Sequence, residues 1–267
     1  MISGRQGVDL AVDGLSWTPR GGRKLLDEIS FALPAGERLA LIGADAEAGA
    51  ALLRVLSRTS RPKHGEIRIG DEDIRALKAD VLSRDVATLL QEGEASFPFC
   101  VREVVLMGRF AWRRGVRHWS DADRAATENA LLRLGLEDLA ERQFTGLTGG
   151  QRQRVLLARA LAQEPRLLLV DRFSDTIDIG QQRAILAQLR DVGMTMVACL
   201  PDMDLAAEFA TCVGVVENGQ MTAFGQLSEI LALEREHAVA GDGADRAALR
   251  KSRSSGSSAS RHDEPRA

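Results

Sequence analysis

The stretch Leu147-Thr148-Gly149-Gly150-Gln151-Arg152-Gln153-Arg154-Val155, continued by Leu157-Ala158-Arg159-Ala160-Leu161, decides the reading of this chain. A hydroxyl and two glycines open a segment whose apolar residues recur at helical spacing, which predicts a helix over about residues 151–163. At such a start the glycines leave backbone N–H groups uncovered, and the positive end of the helix dipole points the same way. The arrangement suits a phosphate. Taken alone, Thr-Gly-Gly reads equally well as a glycine-rich helix start, so the flanking sequence has to decide.

Downstream, Leu167-Leu168-Leu169-Val170 is wholly apolar and ends in Asp171; a helix follows over about 180–190, then an apolar strand over 194–200. Unbroken apolar strands fit a parallel sheet covered on both faces. Upstream, strands are predicted at 8–12, 29–33, 38–42 and 65–70, with Pro34-Ala35-Gly36 as the turn before 38–42. A helix over 50–58 follows that strand directly, carried by Leu52, Leu53, Val55 and Leu56, and a further apolar strand ends in Leu89-Leu90-Gln91. Residues 101–140 read as mainly helical, with a polar, Trp-rich interruption over 110–119.

With 267 residues, 45% of them apolar, the chain can bury one large α/β core with an inserted subdomain. Its 35 basic and 38 acidic residues leave a net charge of -3, which argues against a nucleic-acid partner. Cys100, Cys199 and Cys212 are odd in number and widely spaced, which suits buried thiols in a reducing compartment. Residues 1–14 lack the profile of a signal peptide and no apolar run has spanning length, so the chain is expected to be cytoplasmic, with membrane attachment only through a partner. From 241 to 267 apolar residues give way to a Ser-rich segment, expected to be a disordered tail.

The Leu147–Val155 stretch resembles the signature of ATP-binding cassette (ABC) subunits, Leu-Ser-Gly-Gly-Gln followed by a basic helix, with Thr148 in place of the Ser. The surrounding elements over about residues 8–235 follow that family's order, including the turn Asn218-Gly219-Gln220 and Phe224-Gly225 near the end. The resemblance implies an α/β P-loop NTPase (RecA-like) core with a parallel sheet, an antiparallel β subdomain and an inserted α-helical signature subdomain. It also implies a nucleotide-binding domain over 1–240 with the helical insert at about 92–163. Phe97-Pro98-Phe99-Cys100-Val101-Arg102-Glu103-Val104-Val105-Leu106-Met107-Gly108-Arg109 looks like the segment after the Q-loop in importers of iron-siderophores, haem and cobalamin. By resemblance the ligands are ATP and Mg²⁺, and the partners are membrane permease subunits and a second ATP-binding subunit, in a homo- or heterodimer.

Three departures stand out. A working P-loop is Gly-x-x-x-x-Gly-Lys-Ser/Thr, in which backbone N–H groups, the Lys and the hydroxyl hold phosphates and Mg²⁺. Here it reads Gly43-Ala44-Asp45-Ala46-Glu47-Ala48-Gly49-Ala50: only Gly43 survives, Gly49 stands at the Lys position and Ala50 at the hydroxyl. Asp45 and Glu47 add like charge, an effect of about 1 to 4 kcal/mol within ~5 Å in a partly buried site, or about tenfold to several hundredfold in affinity. Where the family has Asp-Glu-Pro the chain has Asp171-Arg172-Phe173, and Arg172 cannot serve as a general base. Where the family has His-Asp it has Pro201-Asp202, and Pro201 has no side-chain donor or acceptor.

Other positions that match survive. Gly43, Gln91, Thr148, Gly149, Gly150, Gln151, Asp171 and Asp178 are the candidate nucleotide-contacting residues, with Gln91 and Asp171 as residual Mg²⁺ ligands. No catalytic position is intact, the degenerate ones being Gly49, Arg172 and Pro201. Because family subunits pair head to tail, the signature of one closing over the P-loop of the other, this chain is expected to complete a partner's site while failing to make its own. An ion pair from Arg172 to Asp45 or Glu47 in the empty pocket is a further expectation. Trp17, near Arg20, lies within about a residue of the family's adenine-stacking aromatic but reads equally well as a core or surface residue. Arg109, Arg113, Arg114 and Arg117, with Trp112 and Trp119, read as a basic patch for docking a permease or as a solvated helix end. His64, His118, His237 and His262 show no ligand spacing. Two other readings remain open: an active importer ATPase, and a regulatory or interaction protein on the same fold.

Overall fold

Alternation along the strands sorts the side chains onto two faces, and that sorting builds the domain. The computed structural model describes residues 5–43, 46–89, 98–113, 118–171 and 178–232. In chain order the strands and α-helices are β1 (Leu10–Trp17), β2 (Leu26–Leu33), β3 (Arg38–Ile42), α1 (Ala46–Leu56), β4 (His64–Ile69), β5 (Glu72–Asp73), α2 (Ala79–Asp85), β6 (Val86–Leu89), α3 (Val101–Leu106), α4 (Asp121–Arg133), α5 (Gly149–Ala162), β7 (Leu167–Val170), α6 (Ile179–Leu189), β8 (Thr195–Cys199), α7 (Met203–Phe209), β9 (Cys212–Glu217) and β10 (Gln220–Gln226).

Two sheets result among the described residues. An antiparallel sheet runs β2-β1-β4-β5, and a six-stranded sheet runs β10-β9-β3-β8-β7-β6. Strands β9, β3, β8, β7 and β6 are parallel through their pairings, and β10 returns antiparallel on β9. The parallel strands are apolar throughout because each face meets its own core. Leu39, Leu41, Leu167, Leu169, Val197 and Cys199 pack with α1 and the antiparallel sheet. Ala40, Leu168, Val170, Met196 and Ala198 pack with residues of α3, α4, α5, α6 and α7. This is the α/β P-loop NTPase architecture, with its antiparallel and helical parts on opposite faces.

Local boundaries differ from the sequence reading, among other places, at α1 and in the Trp-rich segment. Helix α1 starts at Ala46, not at residue 50, because the small residues before Leu52 accept helical geometry and Ala48 is buried. In the Trp-rich segment the helix continues as 3-10 turns over Met107–Trp112, and α4 then begins after Ser120. The Ser120 hydroxyl accepts from the Asp123 N–H while Asp123 reaches back to the Ser120 N–H, so two otherwise unpaired donors satisfy each other. The expected tail at 241–267 lies outside the described residues.

Arg109 corrects the docking-patch reading. Its side chain is 5% exposed, its Nε lies 3.0 Å from Asp123 Oδ1 and its Nη1 lies 2.8 Å from both Glu164 Oε2 and the Ala162 carbonyl. A guanidinium with that many fixed acceptors is a tie among α4, the end of α5 and the 3-10 turns. Burial raises the Asp123 pKa, but hydrogen bonds from Ser120 and Arg109 outweigh it and hold the carboxyl below its ordinary range. Arg113 packs over the Trp119 ring, its guanidinium carbon 4.5 Å from the centroid. Arg114 and Arg117 lie outside the described residues.

Candidate nucleotide site

Strands β3, β8, β7 and β6 lie side by side and end in one row, so the residues that follow them are brought together at the carboxyl edge of the sheet. Gly43 follows β3, Pro201 follows β8 after Leu200, and Asp171 follows β7. Gly43 has φ +153°, and a Cβ built there would sit 2.0 Å from the Val216 carbonyl oxygen. Only glycine fits that close approach of the loop to β9. Asp171 is buried, and its N–H donates to the Leu89 carbonyl at 2.8 Å. Ala44, Asp45, Gln91 and Arg172 lie outside the described residues, so the expected Gln91 and Asp171 metal pair and the Arg172 ion pair are not visible.

At the start of α1 the chemistry differs from a phosphate cradle. Glu47 occupies the first turn, where a carboxylate complements the helix dipole. Its carboxylate is exposed and lies 3.1 Å from Nη2 of Arg23, a residue of the β1–β2 loop. The like charge expected at Glu47 is therefore met by a cation from elsewhere in the chain, and that partner is Arg23. Ala48 is buried, and Ala50 presents no hydroxyl. At Gly49 a Cβ would lie 2.9 Å from Cys199 Sγ. Position 49 supplies no cation for a phosphate, position 50 no hydroxyl for a metal, and the carboxylate of the first turn is paired to Arg23. Pro201 is exposed, and Asp202 is engaged as the cap of α7, accepting from the Leu205 N–H at 2.9 Å.

The second cluster is built differently. Thr148 caps α5: its hydroxyl accepts from the Gln151 N–H at 3.3 Å while the Gln151 side-chain oxygen accepts from the Thr148 N–H at 3.0 Å. The reciprocal pair fixes the first turn. Thr148 is exposed, Gly149 half-buried and Gly150 buried. Asp178 caps the next helix in the same manner, its Oδ1 accepting from the Gln181 N–H at 2.9 Å. The two capped ends touch: a Cβ at Gly150 would meet Gln181 Oε1 at 2.2 Å. Trp17 ends β1, half-buried against the core of the antiparallel side.

A protein-family model described as ABC transporter matches residues 26–173. The chain belongs to the ABC transporter family. Among its relatives is the hemin import ATP-binding protein of Rhodococcus jostii, 35% identical over 85% of this chain and 78% of that protein. Another is the achromobactin transport ATP-binding protein of Dickeya dadantii, 32% identical over 78% of each chain. In fold it is similar to cbiO1 from Clostridium perfringens, described as part of the ABC transporter complex cbiONQ, with a TM-score of 0.75 at 23% identity over 86% of this chain and 93% of that one. Helix α5 opens with Gly149 and Gly150 after the Thr148 cap, and Gly43 and Asp171 lie at the ends of β3 and β7.

Two residues beside the α1 turn escaped the sequence reading. Arg23 sits in an irregular loop with no motif spacing to Glu47, and only the fold brings them together. Cys199 lies within a strand, and its approach to Gly49 depends on the β3–β8 register, which sets Leu41 opposite Cys199. No helix among the described residues is long and apolar enough to cross a membrane.

Proposed function

We propose that this chain is the ATP-binding-type subunit of a metal-chelate importer, of the class that carries iron-siderophores, haem or cobalamin, and that it supports a partner subunit's ATP site without hydrolysing ATP itself. The observation that carries this reading is the contrast between the two helix starts. The first turn of α1 has neither cation nor hydroxyl for phosphate and holds an internal Arg23–Glu47 pair. The first turn of α5 keeps Thr148, Gly149, Gly150 and Gln151, with its cap formed. That turn presents N–H groups and the positive dipole end to an anion brought by a second subunit. With Arg172 and Pro201 in place of an acid and a histidine, this chain has no residue at those positions to activate water or contact a phosphate. The solute class follows the names of the hemin and achromobactin relatives.

In this reading residues 1–240 form the nucleotide-binding-type domain, with the helical insert over about 92–163. The chain sits on the cytoplasmic face of the membrane, held there by permease subunits. The test combines the purified chain with a competent ATP-binding subunit and permease of one transport complex and follows phosphate release. The expected result is a stimulated rate that Gly150→Asp abolishes and Thr148→Ala reduces. A rate indifferent to this chain, or unchanged by both substitutions, rejects the proposal.

A further inference from the structure

We infer that Cys199 locks the start of α1 in its lysine-free form, by filling the volume that any side chain at position 49 needs. The inference rests on the reading of this turn as a cradle that no longer serves a triphosphate, and it adds that the loss is built into the packing, beyond the substitution at 49.

A Cβ placed at Gly49 lies 2.9 Å from Cys199 Sγ and 3.8 Å from Cys199 Cβ, so the sulfur is the obstacle and the backbone is not. The sulfur has little room to retreat. Cys199 is buried at the end of β8, its backbone held in register against Leu41 of β3, with Leu39, Leu41 and Val197 in the same core. The helix is equally confined, since Ala48, Ala51, Leu52 and Leu53 around Gly49 are all 0% exposed. In close-packed interiors an added carbon with no free volume forces side chains or backbone to shift. Glycine inside a helix is normally improved by alanine, which makes the sign of that substitution diagnostic. The stem of a lysine at position 49 starts from that same Cβ and meets the sulfur first.

Two measurements test this. The first is a thermal-unfolding cycle on the full chain: wild type, Gly49→Ala, Cys199→Ala and the double variant. With Cys199 present, Gly49→Ala is expected to lower the midpoint by about 2–4 °C; with Ala at 199 the same change is expected to raise it. A rise with Cys199 in place overturns the lock. The second compares equilibrium binding of a fluorescent ATP analogue to Gly49→Lys and to Gly49→Lys/Cys199→Ala. The double variant is expected to bind at least tenfold more tightly, and equal binding by the two overturns the consequence drawn for nucleotide. Tight binding with turnover by the wild type defeats the proposed function instead, and the unfolding cycle still judges the lock separately.

Discussion

Two helices of this molecule, α1 and α5, carry glycine in their first turns and meet different neighbours there. Helix α5 opens with Thr148 and Gln151 capping each other, so its first turn is fixed with Gly149 and Gly150 beside the cap. Helix α1 opens with Glu47 tied to Arg23 and with Gly49 pressed against Cys199. The backbone device, N–H groups and a dipole aimed outward, is common to both. What separates them is the neighbours each turn meets: Thr148 is exposed on its cap with Gln181 of α6 beside Gly150, whereas Glu47 is paired to Arg23 and Gly49 lies against Cys199.

The comparison can be broken most severely by removing the platform under α5. Arg109→Ala leaves Asp123 buried beside no cation, and the expected loss is about 3–5 kcal/mol in denaturant unfolding. A loss below about 1 kcal/mol means that the helical part does not depend on this tie. The same pair has a pH signature. Because the folded-state pKa of Asp123 is depressed, its contribution is complete above the ordinary carboxylate value near 3.8 and fades as pH falls through the lower folded value. Asp123→Asn is expected to flatten the acid limb of the stability profile below about pH 4.

Next in size is the α1 side. Gly43→Ala forces a Cβ onto the Val216 carbonyl at a φ that side chains rarely adopt, with an expected cost of about 2–3 kcal/mol. Thr148→Ala removes the cap of α5 and is expected to cost about 1 kcal/mol. Glu47→Ala deletes an exposed ion pair and should change stability by less than about 0.5 kcal/mol. The last two sharpen the contrast: stability is expected to depend on the cap of the α5 turn and to change little when the Arg23–Glu47 pair of the α1 turn is lost. Equal losses at Thr148 and Glu47 remove that distinction.

Much of the architecture was legible because strands and helices carry their own periodicity. The run Leu167–Val170 announces a strand buried on both faces, and Thr148-Gly149-Gly150 announces a helix start, without any tertiary knowledge. The start of α1 was placed four residues late because alanines and a glycine carry no apolar period. Arg109 was misjudged for a related reason: composition shows an arginine-rich segment, while burial depends on where Asp123 and Glu164 arrive in space. Cys199 and Arg23 were invisible since each meets its partner through sheet register or a loop crossing. Asp178 was legible as a motif residue, and the structure adds that it caps α6 against the neighbouring start of α5.

The central claim is that the α1 turn no longer grips and splits a nucleoside triphosphate while the α5 turn still assists one held elsewhere. Phosphate release from Mg-ATP by the purified chain alone measures it most directly. The account predicts a rate indistinguishable from buffer, rising only when a competent partner is added. Sustained release by the isolated chain, abolished by Asp171→Ala, contradicts it.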